Sequence, residues 1–156
     1  MSGKRIVTGL AVVLAASAGT QVSASGVAVT IAPADAVARA AAAPRHGVQG
    51  TFAMLVRATG KSRGHTFLNS ELDYRDQQNL SIDIDIRGTK LLERQLGAPL
   101  DQFYKGKWIE VRGTARRVPI GFFDKYGRST GKYYFQTHVP VRGPGQIKVV
   151  PPPATP

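Results

Sequence analysis

The chain contains no cysteine. That excludes a disulfide framework, a thiolate metal site, a cysteine nucleophile and a lipidated N-terminal cysteine. Acidic residues are scarce: 10 Asp and Glu stand against 21 Lys and Arg, for a formal net charge of +11. His46, His65 and His138 are the only histidines, and their spacing is not that of metal ligands. There is no phosphate-binding P-loop, no dinucleotide fingerprint and no nucleophile elbow. The chain therefore reads as non-enzymatic and without a cofactor. Long apolar runs are also missing, apart from Ile6 to Ala18. That run is too short for a comfortable membrane span.

What is present begins with a three-part N-terminus. Met1 to Arg5 is short and basic, Ile6 to Ala18 is apolar, and Val22-Ser23-Ala24 puts small residues where a signal peptidase cuts. This pattern predicts a signal peptide over 1–24, with export to a periplasm or the medium. The alternative is an uncleaved anchor. Cleavage after Ala24 removes Lys4 and Arg5, leaving 21 − 2 = 19 basic residues against 10 acidic ones, a net of +9. Residues 25–49 are rich in Ala and Pro and read as a mobile linker with fractional helix. Residues 151–156 form a Pro-rich tail that cannot extend a sheet, since proline lacks the donor.

The folded part falls at 50–150. Thr51 to Thr59 alternates, with Phe52, Met54, Val56 and Ala58 on one face. Thr66 to Asn69 is a short strand after a basic turn. Glu71 to Asn79 is polar and reads as a loop. Leu80 to Ile86 alternates most cleanly, with Leu80, Ile82, Ile84 and Ile86 inward and Ser81, Asp83 and Asp85 toward water. Thr89 to Leu96 changes period and reads as a short helix ended by Gly97. Lys107 to Val118 is a fourth strand. Pro119 and Gly121 open a long loop to Gly131, Tyr133 to Val139 is a fifth strand, and Gln146 to Val150 a small extra one. The expectation is all-β with one short helix, in the order β-β-β-α-β-β. That is the order of a five-stranded OB-fold barrel. An SH3-like barrel usually lacks the helix, and a β-sandwich needs more strands.

Three segments carry a further resemblance: Phe67-Leu-Asn-Ser-Glu-Leu-Asp-Tyr-Arg-Asp76, Asn79-Leu-Ser-Ile-Asp83, and Tyr104-Lys-Gly-Lys-Trp-Ile-Glu-Val-Arg-Gly113. Together they resemble a group of small exported bacterial proteins with an OB-fold domain of the nucleic-acid-binding kind. The resemblance covers about 50–150. It implies the fold and, by analogy, a binding role.

The charge is uneven. Residues 102–148 hold 10 basic and 2 acidic residues, a net of 10 − 2 = +8, whereas 44–101 hold 8 and 7. On the fourth strand Trp108, Arg112 and Arg116 share a face; on the fifth, Tyr134, Gln136 and His138 do. Arginines interleaved with aromatics are what stacking on bases and tracking of phosphates require. The loop after the fourth strand adds Phe122, Phe123, Lys125, Tyr126, Arg128 and Lys132. The earlier loop adds Tyr74 and Arg75, beside Asp73 and Asp76, which commonly hold turns. These residues predict a site for single-stranded nucleic acid or another polyanion. The alternatives are a solvated basic face, with Trp108 covering a barrel end, on a scaffold for an envelope protein. Asp83 and Asp85, near Glu71, Asp73 and Asp76, could hold a hard cation. With Arg75 and Arg112, the same Asp pair could form a metal-assisted nuclease site.

Overall fold

The computed structural model describes residues 29–153. The predicted signal peptide and cleavage point lie outside the described residues. The described chain is mostly β: one seven-stranded open sheet carries a few short helices. Helix α1 (Pro33–Ala42) comes first, then strands β1 (Val48–Leu55), β2 (Ala58–Ser62), β3 (His65–Asn69) and β4 (Leu80–Ile84). Helices α2 (Ile86–Leu96) and α3 (Leu100–Tyr104) follow, then β5 (Trp108–Phe123), β6 (Ser129–Val141) and β7 (Ile147–Val149). The strand order is β1-β5-β6-β4-β3-β2, with β7 also paired to β5. All pairings are antiparallel except β4 with β6.

This corrects the expectation of five strands closed into a barrel with a single helix. The alternating run from Thr51 splits into two strands at Val56 and Arg57. There the Val56 N–H donates to the Lys107 carbonyl, beside β5, while the Arg57 N–H donates to the Asn69 carbonyl, on β3. The chain thus leaves one end of the sheet and enters the other.

The core follows the alternation. Phe52, Met54, Leu68, Leu80, Ile82, Ile84, Ile109, Val111, Val139 and Val141 are buried together. β5 exchanges β1 for β6 as partner between Ala115 and Arg116, and Gly113, still paired with Gly50, lies just before that point. A Cβ on Gly113 would sit 2.8 Å from Val139 Cγ1, so the close crossing requires glycine.

Four local readings differ from the structure. The segment read as a mobile linker contains α1, whose Ala36 and Ala40 are fully buried and pack on the sheet. Their lack of bulk lets the helix backbone lie close, an advantage that a propensity argument overlooks. Ser81, expected in water, is buried. Ile86, expected inward, is 52% exposed because the strand ends at Ile84. Asp85 stops it: its Oδ1 accepts from Gly88 N at 2.8 Å and caps α2, which begins at Ile86, three residues before the predicted start. Finally, the long loop over 119–131 is a hairpin. Strands β5 and β6 run to Phe123 and from Ser129, and only Asp124 to Arg128 form the turn.

Candidate functional site

Strand alternation puts His65, Phe67 and Asn69 of β3, Ser81 and Asp83 of β4, and Tyr134, Gln136 and His138 of β6 on the face away from the core. The registers Phe67↔Asp83 and Ser81↔His138 bring them into one patch. On β5, Arg116 and Ile120 stand opposite His138 and Tyr134 and share that face. β2 walls one side, and Leu72 and Tyr74 come over from the β3–β4 loop. The result is a cleft of about 420 Å³ with Phe67, Tyr74, Ile120 and Tyr134 among its rings and apolar walls.

A chain of polar contacts underlies the cleft. His65 Nδ1–H donates to Asp83 Oδ1 at 2.5 Å. His138 Nδ1 stands 3.6 Å from the other carboxylate oxygen. Gln136 Nε2 donates to Tyr134 Oη at 2.7 Å and to the Tyr74 carbonyl at 3.1 Å. With its amino group so committed, Gln136 Oε1 is the acceptor for His138 Nε2–H at 2.8 Å. Phe67 lies between the two imidazoles, 6.0 Å from the His65 ring and 5.7 Å from the His138 ring. Burial alone would push the Asp83 carboxyl up. Hydrogen bonds from His138 and His65, and their charge attraction, outweigh it and hold the carboxyl below its ordinary value. Burial and the neighbouring Tyr74 push the Tyr134 phenol up, against Gln136 and Arg75.

The β3–β4 loop is fixed from within. Asn79 Oδ1 accepts from Glu71 N at 3.1 Å, while its Nδ2 donates to Asn69 Oδ1, the Tyr74 carbonyl and Ser81 Oγ at 3.1–3.3 Å. Ser81 Oγ donates to Asn69 Oδ1 at 2.6 Å, and Leu80 N donates to Ser70 Oγ at 2.9 Å. Asp73 and Asp76 accept from the backbone N–H two residues on, at 2.9 and 2.8 Å. Their part is to hold turns. Tyr74, 47% exposed, is presented beside Tyr134, with the Arg75 guanidinium 5.1 Å from its ring centre.

The other predicted residues do not gather here. Trp108 is half-buried beside Thr30, Pro33, Leu55 and Pro153, in a separate hollow of about 450 Å³. Arg112 borders a third hollow with Gln146 and Lys148. β5 coils around the sheet, so its alternating face does not look in one direction along its length. Lys125, Tyr126, Arg128 and Lys132 lie at or beside the hairpin turn, outside the cleft lining.

The carboxylates are similarly dispersed. Asp85 caps α2, Asp73 and Asp76 bind their own turns, Glu71 faces Arg57 at 3.5 Å, and Asp83 serves the histidines. Among the described residues no group of three or more His, Asp or Glu could hold a metal ion. The residues read for a nuclease, Asp83, Asp85, Arg75 and Arg112, occupy different places.

Phe67 and His65 are the site residues that sequence reasoning missed; Asp83 was read as a carboxylate for a cation or a nuclease and not as the partner of two histidines. The signal was available: Thr66 and Leu68 are buried, so their alternation partners must face out. No helix among the described residues is long and apolar enough to cross a membrane. Compared with models of known protein families the chain matches none, and no curated protein matches it either.

Proposed function

We propose that this chain is an exported, non-enzymatic binding module whose cleft takes up bases of a single-stranded nucleic acid. The observation that carries the reading is the cleft itself. Phe67, Tyr74 and Tyr134 offer ring surfaces on one sheet face, and Gln136 and His138 lie among them. Two carboxylates near the cleft are already engaged, Asp83 with the two imidazoles and Asp101 with Lys61 at 2.8 Å. Arg75 and Arg116 stand beside it to meet phosphates. Bases stack on such rings with little sequence preference.

Strand order supports an OB-like architecture. With β1 and β2 taken as halves of one bent strand, and β7 as an addition, the path reads first-fourth-fifth-third-second. The fourth-to-fifth pairing is antiparallel and the third-to-fifth parallel. The resemblance in Phe67 to Asp76 and Tyr104 to Gly113 agrees with this. Export rests on the N-terminal pattern and on a mature chain beginning after Ala24.

Titration with single-stranded oligonucleotides tests the proposal. Tyr134→Ala should weaken binding by roughly 1–3 kcal/mol, the value of one stacked base. Trp108→Ala should leave affinity unchanged, because Trp108 borders a different hollow. Each phosphate contact should contribute about −0.7 to the log–log salt slope, and Arg116→Ala should remove about one contact. An absence of saturable binding at low salt would overturn the reading. So would equal affinity for any acidic polymer with indifference to Tyr134. A scaffold for an envelope protein would then stand in its place.

A further inference from the structure

Beyond Ile120 and Tyr134, which line the cleft, the outer end of the β5–β6 hairpin is a part of the molecule the cleft does not use. β1 and β7 pair with β5 only at Trp108–Ala115, and β4 pairs with β6 only at Thr137–Val141. From Arg117 to Gln136 the two strands therefore pair only with each other. Pro119 on one edge discourages the addition of another strand. This ribbon nevertheless carries rings on both faces. Phe122 packs against Tyr134 at 5.5 Å on one, and Tyr133 against Phe135 at 5.3 Å on the other. Phe122, Phe123, Tyr126 and Tyr133 remain 47–69% exposed.

The tip is also cationic. Its only acid, Asp124, is consumed locally: Oδ1 accepts from Tyr126 N and Arg128 N, and Oδ2 from Arg128 Nε at 2.9 Å. Lys125 and Lys132 have no carboxylate partner among the described residues. Arg63, at the β2–β3 turn, places its guanidinium 5.9 Å from the Phe123 ring centre and adds to the same end.

A stacked polymer uses one face of a platform, and a grooved protein covers one side of a ribbon. Rings on both faces and at the turn, fringed by cations, match a medium that surrounds the tip. The headgroup zone of a bilayer is such a medium: it favours aromatic rings, and its anionic lipids attract Lys and Arg. We propose that the Phe122–Tyr133 tip docks on an anionic lipid surface by shallow insertion. The depth is limited, because the ribbon's open edges carry backbone groups that hydrocarbon cannot satisfy.

Vesicle binding of the full-length chain tests this. The apolar run Ile6 to Ala18 is common to every variant, so differences between variants report the tip. On phosphatidylglycerol vesicles, Lys125→Gln and Lys132→Gln should each lower the partition coefficient about fivefold. Phe123→Ser and Tyr126→Ser should each lower it about tenfold. In a Trp108→Phe background, the emission of a Tyr126→Trp variant should shift to the blue on these vesicles and be quenched by shallowly brominated lipid. Partitioning that depends on the lysines but not on the rings, with no blue shift, would reduce the contact to charge adsorption and overturn insertion. Loss of oligonucleotide affinity in the Phe123 and Tyr126 variants, with vesicle binding intact, would give the tip to the polymer instead. Failure of the cleft reading shows separately, in the oligonucleotide titration of Tyr134→Ala.

Discussion

The β3–β4 loop and the β5–β6 hairpin border the same cleft, each with a tyrosine, Tyr74 and Tyr134, yet they are built on opposite principles. The loop is irregular in backbone and fixed by side chains: Asn79 alone makes four contacts within hydrogen-bonding distance of the loop and its flanking strands, at 3.1–3.3 Å. The hairpin is held by its backbone ladder, with one register shift between Gly121 and Phe123, and Phe122, Phe123, Tyr126 and Tyr133 are left to solvent. The difference teaches that a loop gains definition by burying polar groups that satisfy one another. A ribbon gains it from its ladder and can spend its side chains on an outside partner.

The largest expected effect comes from breaking the loop. Asn79→Ala should destabilise the fold by roughly 2–4 kcal/mol, since Glu71 N and the Tyr74 carbonyl lose their partner beside buried Asn69 and Ser81. Urea unfolding measures it. A loss below about 0.5 kcal/mol, the usual range for a surface change, would mean that the clasp does not order the loop.

An intermediate effect concerns the pairing beneath the cleft. The Asp83 carboxyl is held below its ordinary value in the fold. Its contribution is therefore full above the ordinary carboxyl range, near about pH 4, and is lost as pH falls through the lower folded value. The wild type should exceed Asp83→Asn in stability at pH 7, and the gap should narrow on acidification toward pH 2. Asp101 and Asp124 are also held low, but they are common to both proteins and cancel in the difference. Parallel urea midpoints across that interval would sink the pairing.

The smallest effect belongs to the tip. Tyr126→Ala should change stability by no more than about 0.5 kcal/mol, because its ring supports no packed layer. Thermal melts of the variant beside Asn79→Ala set the two regions side by side. A cost approaching that of the loop variant would show the hairpin to be structural rather than presented.

The legible parts of this fold are those where one residue type answers one question. Leu80, Ile82 and Ile84 alternate and are buried. Leu92 and Gly97 belong to a helix that ends in a left-handed glycine. Where two uses compete, the sequence misleads. Asp85 fits an alternating strand and a helix cap equally well, and the cap prevails because the helix needs an acceptor there. Pro119, Gly121 and Gly131 suggest a loop, but a two-stranded ribbon tolerates them on open edges. Ser81 looks solvated until Asn69 and Asn79 close over it. The cleft was half legible: Tyr134, Gln136 and His138 are close neighbours on one strand and Tyr74 was read from its loop, whereas Phe67 and Asp83 join them only through strand register. Trp108 misled because coiling of β5 takes its face away from the cleft.

Thr30 and Pro153 border the same hollow at Trp108, and the Val150 N–H donates to the Trp108 carbonyl. The two ends of the described chain therefore meet side by side at one point of the fold, next to Trp108. An attachment made at either described end would therefore reach the rest of the surface from the same starting point.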